Sequence, residues 1–142
     1  MIITKAEVVI ARPLEEVYKY LYSLENQTEY NTCIKSSIKV SDPKSHLPSF
    51  KIEINFGLFS LSEIYRIKEL KENVFFIATC ENNLLNFEDK YEFESVNEGT
   101  VLKITDQMEL KGLLRLSEGI VKGNLSTQMQ ENILRVKNIL EK

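Results

Sequence analysis

The chain has 142 residues, of which 43% are hydrophobic and 27% are charged, values that are typical of one folded domain and argue against disordered or fibrous classes. Its 18 basic and 21 acidic side chains give a net charge of −3, and no Lys/Arg cluster alternates with aromatic residues, so no nucleic-acid partner is expected. No run approaches the roughly 18 apolar residues of a membrane span, and MIITKAEVVIARP lacks a secretory signal pattern. We therefore expect a single cytoplasmic domain over residues 1–142.

The first elements are a strand and a helix. Residues 2–10 are rich in Ile and Val, and Pro13 follows them, which predicts a strand and then a helix. Apolar residues recur at i, i+3, i+4 and i+7, as in a short amphipathic helix: Leu14, Val17, Tyr18 and Leu21. Residues 24–31 are polar, and a second short helix and an irregular bend both stay open there.

From residue 34 to residue 110 apolar and polar residues alternate, which is typical of strands with one buried face. With the first strand, the alternating runs predict a seven-stranded antiparallel meander. A two-residue hairpin loop pairs an odd position with an even one, so such loops keep all the apolar residues on one face. The loops that meet this condition are Glu72-Asn73, Asn82-Asn83 and Glu98-Gly99.

After Leu110 the apolar spacing becomes helical, which predicts one long helix from about residue 113 to residue 140. At about 1.5 Å per residue this helix would be about 40 Å long, enough to lie across the sheet. Gly119 and Gly123 are interpreted as a close approach to the sheet or a kink. The face expected to turn inward comprises Leu113, Leu116, Ile120, Met129, Ile133, Val136 and Leu140.

Residues 11–31, ARPLEEVYKYLYSLENQTEYN, resemble the opening pattern of the START-like superfamily. Tyr18 occupies the aromatic position after Val17, and Tyr30 the later aromatic position. Asn31-Thr32 departs from the pattern, because many members have Pro and Trp there. The order of elements extends the resemblance over nearly the whole chain. It implies an α+β helix-grip fold: a curved seven-stranded antiparallel sheet, two short helices after the first strand, and a long C-terminal helix over a cavity.

The superfamily includes polyketide cyclase/dehydratase-like proteins, lipid-transfer START domains and birch-pollen-allergen proteins. The resemblance implies that a small hydrophobic or amphipathic molecule, such as a lipid, quinone or polyketide-like compound, binds between the sheet and the C-terminal helix without a cofactor. A narrower similarity, carried by Tyr30, Cys33 and Ser36-Ser37, is to the coenzyme-Q-binding, ribosome-associated branch.

Three acids interrupt the inward-facing rows: Glu63, Asp89 and Asp106. In the predicted register Asp106 lies opposite Tyr91, with Asp89 on the diagonal. Buried carboxylates are costly unless they are hydrogen-bonded or wet. Two interpretations stay open. One or more of the acids lies near a strand end, in solvent or bonded to a tyrosine hydroxyl, or the acids together with Tyr65 and Tyr91 provide the polar contacts of a mostly apolar ligand site.

The predicted ligand-binding residues are Ile52, Ile54, Glu63, Tyr65, Phe76, Asp89, Tyr91, Asp106, Met108 and Ile120. Leu58 and Phe59 follow a glycine at a turn, and we expect them at the cavity mouth as a gate or contact surface, with burial of Phe59 in the core as the alternative.

Several kinds of site are not expected. His46 is the only histidine and stands in a loop between two prolines, so no Ser-His or Cys-His nucleophile pair is predicted. Cys33 and Cys80 have no CxxC spacing, which argues against a metal site or a disulfide. The chain also has no nucleotide-binding glycine motif.

A ligand-binding protein is the leading hypothesis. The second is a cyclase or dehydratase that uses an inward carboxylate for proton transfer, and a pocket with a hydrogen-bonded acid pair would favour it. The third is a module that contacts another protein or the ribosome, and a collapsed interior with an exposed apolar patch would favour it. No catalytic residue is assigned, and a homodimer or another protein partner stays open.

Overall fold

The computed structural model describes residues 1–41, 46–55 and 60–142. Short 3₁₀ turns at Leu24–Asn26 and Gly112–Ser117 precede the second and third helices. In chain order the elements are β1 (Ile2–Ile10), α1 (Leu14–Tyr22), α2 (Gln27–Tyr30), β2 (Ile34–Val40), β3 (Ser49–Asn55), β4 (Ser60–Lys71), β5 (Phe75–Glu81), β6 (Leu85–Val96), β7 (Gly99–Leu110) and α3 (Glu118–Leu140). The predicted α+β helix-grip arrangement is confirmed.

The helices α1 and α2 connect the two edges of the sheet. The seven strands follow the order β1-β7-β6-β5-β4-β3-β2, and every neighbouring pair is antiparallel. Because β1 and β2 are at opposite edges, the chain between them must cross the sheet. It does so through α1, which buries Val17, Tyr18 and Leu21, and through α2, which buries Gln27 and Tyr30. The second short helix considered for residues 24–31 is therefore present.

The register of β6 and β7 differs by two residues from the prediction. Val96 pairs with Gly99, so the turn is Asn97-Glu98 and not Glu98-Gly99. Gly99 has a φ of +137°, and a Cβ there would lie 2.1 Å from the carbonyl oxygen of Ile10, so only glycine fits this close approach. A shift of two residues keeps every side chain on its face but changes its partner across the strands.

The β5–β6 hairpin shows the same two-residue shift. Cys80 pairs with Phe87, and residues 82–84 connect the strands in place of the predicted loop Asn82-Asn83. Residues 72–74 connect β4 and β5, and an irregularity between Ile67 and Glu69 absorbs the extra residue. The predicted inward face is therefore kept although each of the predicted loops was wrong.

The long C-terminal helix is only half buried. Its buried residues, Ile133, Val136 and Leu140, all lie in its second half, where α3 packs against β1. Before this half, Leu113 is 87% exposed and Ile120 is 69% exposed. The expectation that one apolar face packs along the whole helix is thus wrong for residues 113–120.

The glycines of α3 show the same separation from the sheet. A Cβ placed on Gly119 or Gly123 would meet no atom within 4 Å, so neither glycine permits a close approach.

Within residues 1–41, 46–55 and 60–142, no helix is both long enough and apolar enough to cross a membrane.

Candidate functional site

A cavity of about 90 Å³ lies between α2, the inner face of the sheet and α3. Ligand sites in proteins usually measure about 300–1,000 Å³, so this cavity is small, although it exceeds the roughly 10–15 Å³ that one water molecule needs. Its walls comprise Gln27, Tyr30, Asn31, Ile34, Ile54, Tyr65, Phe87, Asp89, Tyr91, Ile104, Asp106, Met108, Leu125, Gln128, Met129 and Asn132.

Six of the predicted ligand-binding residues line this cavity: Ile54, Tyr65, Asp89, Tyr91, Asp106 and Met108. Four others do not. Ile52 and Phe76 are fully buried in the core, and the ring of Phe76 stacks on that of Tyr91 with 4.5 Å between centroids, so Tyr91 covers it. Glu63 is half-buried on β4, opposite Ile52.

The fourth, Ile120, is 69% exposed on α3. Its predicted position in the cavity wall was therefore wrong. The predicted mouth residues Leu58 and Phe59 lie outside the described residues.

Asp89 and Asp106 form a pair of opposed carboxyl groups at the polar end of the cavity. They are direct partners across β6 and β7, where the sequence register predicted Tyr91 opposite Asp106; Tyr91 faces Ile104. Asp106 is 9% exposed, and Asp89 keeps a larger accessible surface on the cavity side. The carboxyl groups hydrogen-bond to each other, with Asp106 as the donor.

Burial dominates the ionisation of this pair. It raises the pKa of Asp106 well above its usual range, and the charge of Asp89 raises that pKa further. Burial also raises the pKa of Asp89, but there the hydrogen bonds from Asp106 and Tyr65 act in the opposite direction. Asp106 therefore holds its proton more strongly than Asp89 does, as expected when two neighbouring carboxyl groups cannot both ionise.

Tyrosine and glutamine side chains surround the acid pair. Tyr65 donates a hydrogen bond to Asp89, and the Nε2 of Gln27 donates to the hydroxyl of Tyr91 over 3.2 Å. Burial raises the pKa of Tyr65 and of Tyr91, so both phenols keep their protons. Gln27 and Tyr30 were not assigned to the site from sequence, because the polar segment around them gave no periodic signal; Tyr30 was noted only as part of the family pattern.

Three buried polar atoms of this cluster have no hydrogen-bond partner among the described residues: Gln27 Oε1, the Tyr30 hydroxyl and Asp106 Oδ1. All three side chains line the cavity. Leaving one such atom unsatisfied costs about 1–3 kcal/mol, so native proteins seldom collect several in one place. The polar end of the cavity therefore presents three buried polar atoms without a protein partner.

Side chains of α3 and of the α2–β2 connection form the rim. The thiol of Cys33 donates a hydrogen bond to Gln128 Oε1 over 3.0 Å, and Gln128 Nε2 donates to Thr32 Oγ1 over 2.7 Å. Burial raises the pKa of Cys33. The Nη1 of Arg135 donates to the carbonyl oxygen of Tyr30 over 3.3 Å. These bonds hold α3 against α2 beside the cavity.

The opposite face of the sheet has a wider groove of about 330 Å³. Lys103 is the cross-strand neighbour of Glu7 on one side and of Glu92 on the other. Lys90 lies 5.4 Å from the centre of the Phe75 ring. This groove holds charges of both signs and is interpreted as solvated surface.

The site has no signature of a bound metal. In the part of the chain that the structure describes, no group of three or more His, Cys, Asp or Glu side chains could hold a metal ion. Asp89 and Asp106 are the carboxyl groups among the described cavity-lining residues. The chemistry of the site is therefore that of carboxyl, phenol and amide groups.

No protein-family model matches the chain, and no curated protein matches it. Solved structures do match. A START superfamily protein from Mycobacterium smegmatis superimposes with a TM-score of 0.76 at 13% identity, covering 99% of this chain and 98% of that one. The chain has a START-like fold. A protein from Thermus thermophilus has this START-like fold as well, with a TM-score of 0.74 at 21% identity over 98% of this chain and 94% of its own.

The di-domain ARO/CYC protein of the steffimycin biosynthetic pathway is also similar, with a TM-score of 0.72 and 16% identity over 99% of this chain. The START-like chain spans 51% of that protein, so it corresponds to about half of the di-domain molecule. At such identities these similarities establish the fold.

Proposed function

We propose that the protein binds a small hydrophobic or amphipathic molecule whose polar group contacts Gln27, Asp89 and Asp106. The observation that carries the proposal is the convergence of three unpartnered buried polar atoms on one cavity. The remaining wall is largely apolar, with Ile54, Ile104 and Met108 among its residues, which suits the apolar part of such a molecule.

The small volume constrains how a ligand is held. About 90 Å³ accommodates a polar group and a short apolar segment but not a whole lipid. A larger ligand would extend past Leu125 and Met129, which are half-buried on α3. Residues 112–125 include no fully buried residue, and their contacts with the core are made by the half-buried Leu114, Val121 and Leu125.

Native mass spectrometry of the freshly purified protein, followed by denaturing extraction, tests the proposal. We expect a bound small molecule in the wild type and in Leu134→Trp, since Leu134 is 53% exposed on α3. Met129→Trp places a larger side chain in the cavity wall and should abolish the bound species. Melting temperatures near that of the wild type would show that both variants fold.

Equal occupancy in the two variants would place the ligand elsewhere. A protein that is empty and also fails to bind apolar probes would favour the interaction module instead, for which the exposed Leu113 and Leu116 are the supporting observation.

A second candidate function is acid–base catalysis of a cyclase or dehydratase type, and the opposed carboxyl pair favours it. A neutral Asp106 can donate a proton to a leaving hydroxyl group, while an ionised Asp89 can accept one from carbon. Polyketide-like β-hydroxy ketones would be tested for loss of water. Asp89→Asn and Asp106→Asn should then abolish turnover while ligand remains bound. Unchanged turnover in both variants would exclude this mechanism.

A further inference from the structure

The polar end of the cavity offers hydrogen-bond acceptors and negative charge but no positive charge. The described residues that line it include two carboxylic acids, Asp89 and Asp106, and no Lys, Arg or His. A buried charge is costly unless a partner of opposite charge or several hydrogen bonds stabilise it. This imbalance sets a condition on the head group that the cavity accepts.

Gln27 provides an observation that is independent of the acids. It is 2% exposed, and its Nε2 is already used as a donor to the Tyr91 hydroxyl at 3.2 Å. The atom that remains without a partner is its Oε1, which can only accept. The unpartnered Oδ1 of Asp106 is likewise an acceptor, because the proton of that carboxyl is engaged with Asp89. A ligand that satisfies both atoms must bring donors.

The charge of the pair points to the same class of ligand. Two opposed buried carboxyl groups do not both ionise, so together they carry at most one negative charge. A carboxylate or phosphate head group would add a second negative charge beside it. A protonated amine would instead bring a compensating positive charge, and its three N–H donors suit the unpartnered acceptors that line the cavity.

We propose that the cavity selects molecules with a cationic amine head group over molecules of equal length with an anionic head group. This inference rests on the proposed function, because it requires that the cavity binds a ligand at all. The donors of the ammonium group bind the unpartnered oxygens of Gln27 and Asp106, and the hydrocarbon part lies against the apolar wall.

Three six-carbon probes, hexylamine, 1-hexanol and hexanoate, test the head group with the tail held constant. Binding would be followed at pH 7.5 by NMR titration of protein labelled with ¹³C at the methionine methyl groups. Met108 and Met129 line the cavity, while Met1 is 67% exposed and is an internal control for non-specific effects. We expect shifts confined to the two cavity methyls, and binding of hexylamine about tenfold or more tighter than that of hexanoate.

Asp89→Asn removes the carboxyl group of the pair that ionises more readily, and it should reduce the preference for hexylamine over 1-hexanol to less than about threefold. Glu94→Gln is the matched control, because Glu94 is an exposed acid on β6 and its replacement also removes one acidic side chain. The wild-type comparison of the three probes tests the inference even if Asp89→Asn does not fold.

The outcomes separate this inference from the proposed function. Hexanoate or 1-hexanol binding at the cavity methyls as tightly as hexylamine overturns the inference but leaves the cavity a ligand site. Probes that shift neither Met108 nor Met129 overturn both. A loss of hexylamine preference in Glu94→Gln equal to that in Asp89→Asn would assign the preference to net charge and would also overturn the inference.

Discussion

Replacing Asp106 by Asn should remove a pH dependence of folding that the opposed carboxyl pair creates. Burial raises the pKa of Asp106 well above the ordinary value of 3.8. Between the unfolded and the folded pKa, the unfolded chain has lost this proton whereas the folded protein retains it. The free energy of unfolding must therefore be greatest at low pH and fall as the pH rises through this interval. For one proton the slope is about 1.4 kcal/mol per pH unit.

Urea unfolding of the wild type, Asp106→Asn and Glu94→Gln at several pH values from 4 to 8 measures this slope. As the pH rises, the wild type should lose stability relative to Asp106→Asn by up to about 1.4 kcal/mol per pH unit. This relative loss should level off above the pKa of Asp106 in the folded protein. Asn can still donate a hydrogen bond to Asp89, so the variant should fold. Glu94 is exposed, and its replacement should leave the wild-type slope unchanged.

A difference between wild type and Asp106→Asn that is independent of pH would mean that Asp106 ionises in the folded protein much as it does in the unfolded chain. If the wild type instead gained stability relative to Asp106→Asn as the pH rises, the pKa of Asp106 would be lowered in the folded protein. Either result would refute the assignment of the proton to Asp106 and remove the basis of the acid–base mechanism. Unequal m-values would first have to be excluded, because they indicate that unfolding is not two-state.

Three further predictions concern the helix, a turn and the thiols. Ile133→Ala on the buried half of α3 should cost about 2–5 kcal/mol of unfolding free energy, whereas Ile120→Ala on its exposed half should change it by less than about 0.5 kcal/mol; equal losses would contradict the division of the helix. Gly99→Ala should lower the melting temperature, because its Cβ would meet the Ile10 carbonyl oxygen at 2.1 Å; an unchanged value would contradict this register. Iodoacetamide should modify Cys33 before Cys80, whose pKa burial raises to about 12, and mass spectrometry would report the order; reaction at Cys80 first would be incompatible with its complete burial.

Hydrophobic periodicity predicted the fold well because it depends on which face each side chain occupies. The turns are less well determined, since shifting a hairpin by two residues keeps every apolar side chain inside. Packing around Gly99, which no local pattern describes, decides between the registers. The consequence reaches the candidate site, because the true register places Asp106 opposite Asp89 and not opposite Tyr91.

Other parts of the site depend on contacts between distant segments. Gln27 becomes a cavity residue because α2 places it against Tyr91, a residue 64 positions away. Ile120 has the spacing of an inward residue, but whether it packs depends on how far the sheet extends beneath α3. Neither fact is encoded in a window of neighbouring residues, which is why the sequence predicted the strand residues of the cavity better than its helical ones.

The cavity combines a rigid floor with a more weakly held cover, and this contrast bears on what it can recognise. The floor carries the acid pair on β6 and β7, which both have a neighbouring strand on each side, beside the stacked rings of Phe76 and Tyr91. The cover is the first half of α3, where the ion pair between the Met1 amino group and Glu118 is exposed, and such pairs contribute only about 0–1 kcal/mol.

Fixed groups bind with a smaller loss of conformational entropy than mobile ones. Selectivity for the head group should therefore reside in the strand residues, and tolerance of different tails in α3. Substitutions at Asp89 or Asp106 would then alter which head group binds, whereas substitutions at Leu125 or Met129 would alter the accepted tail length.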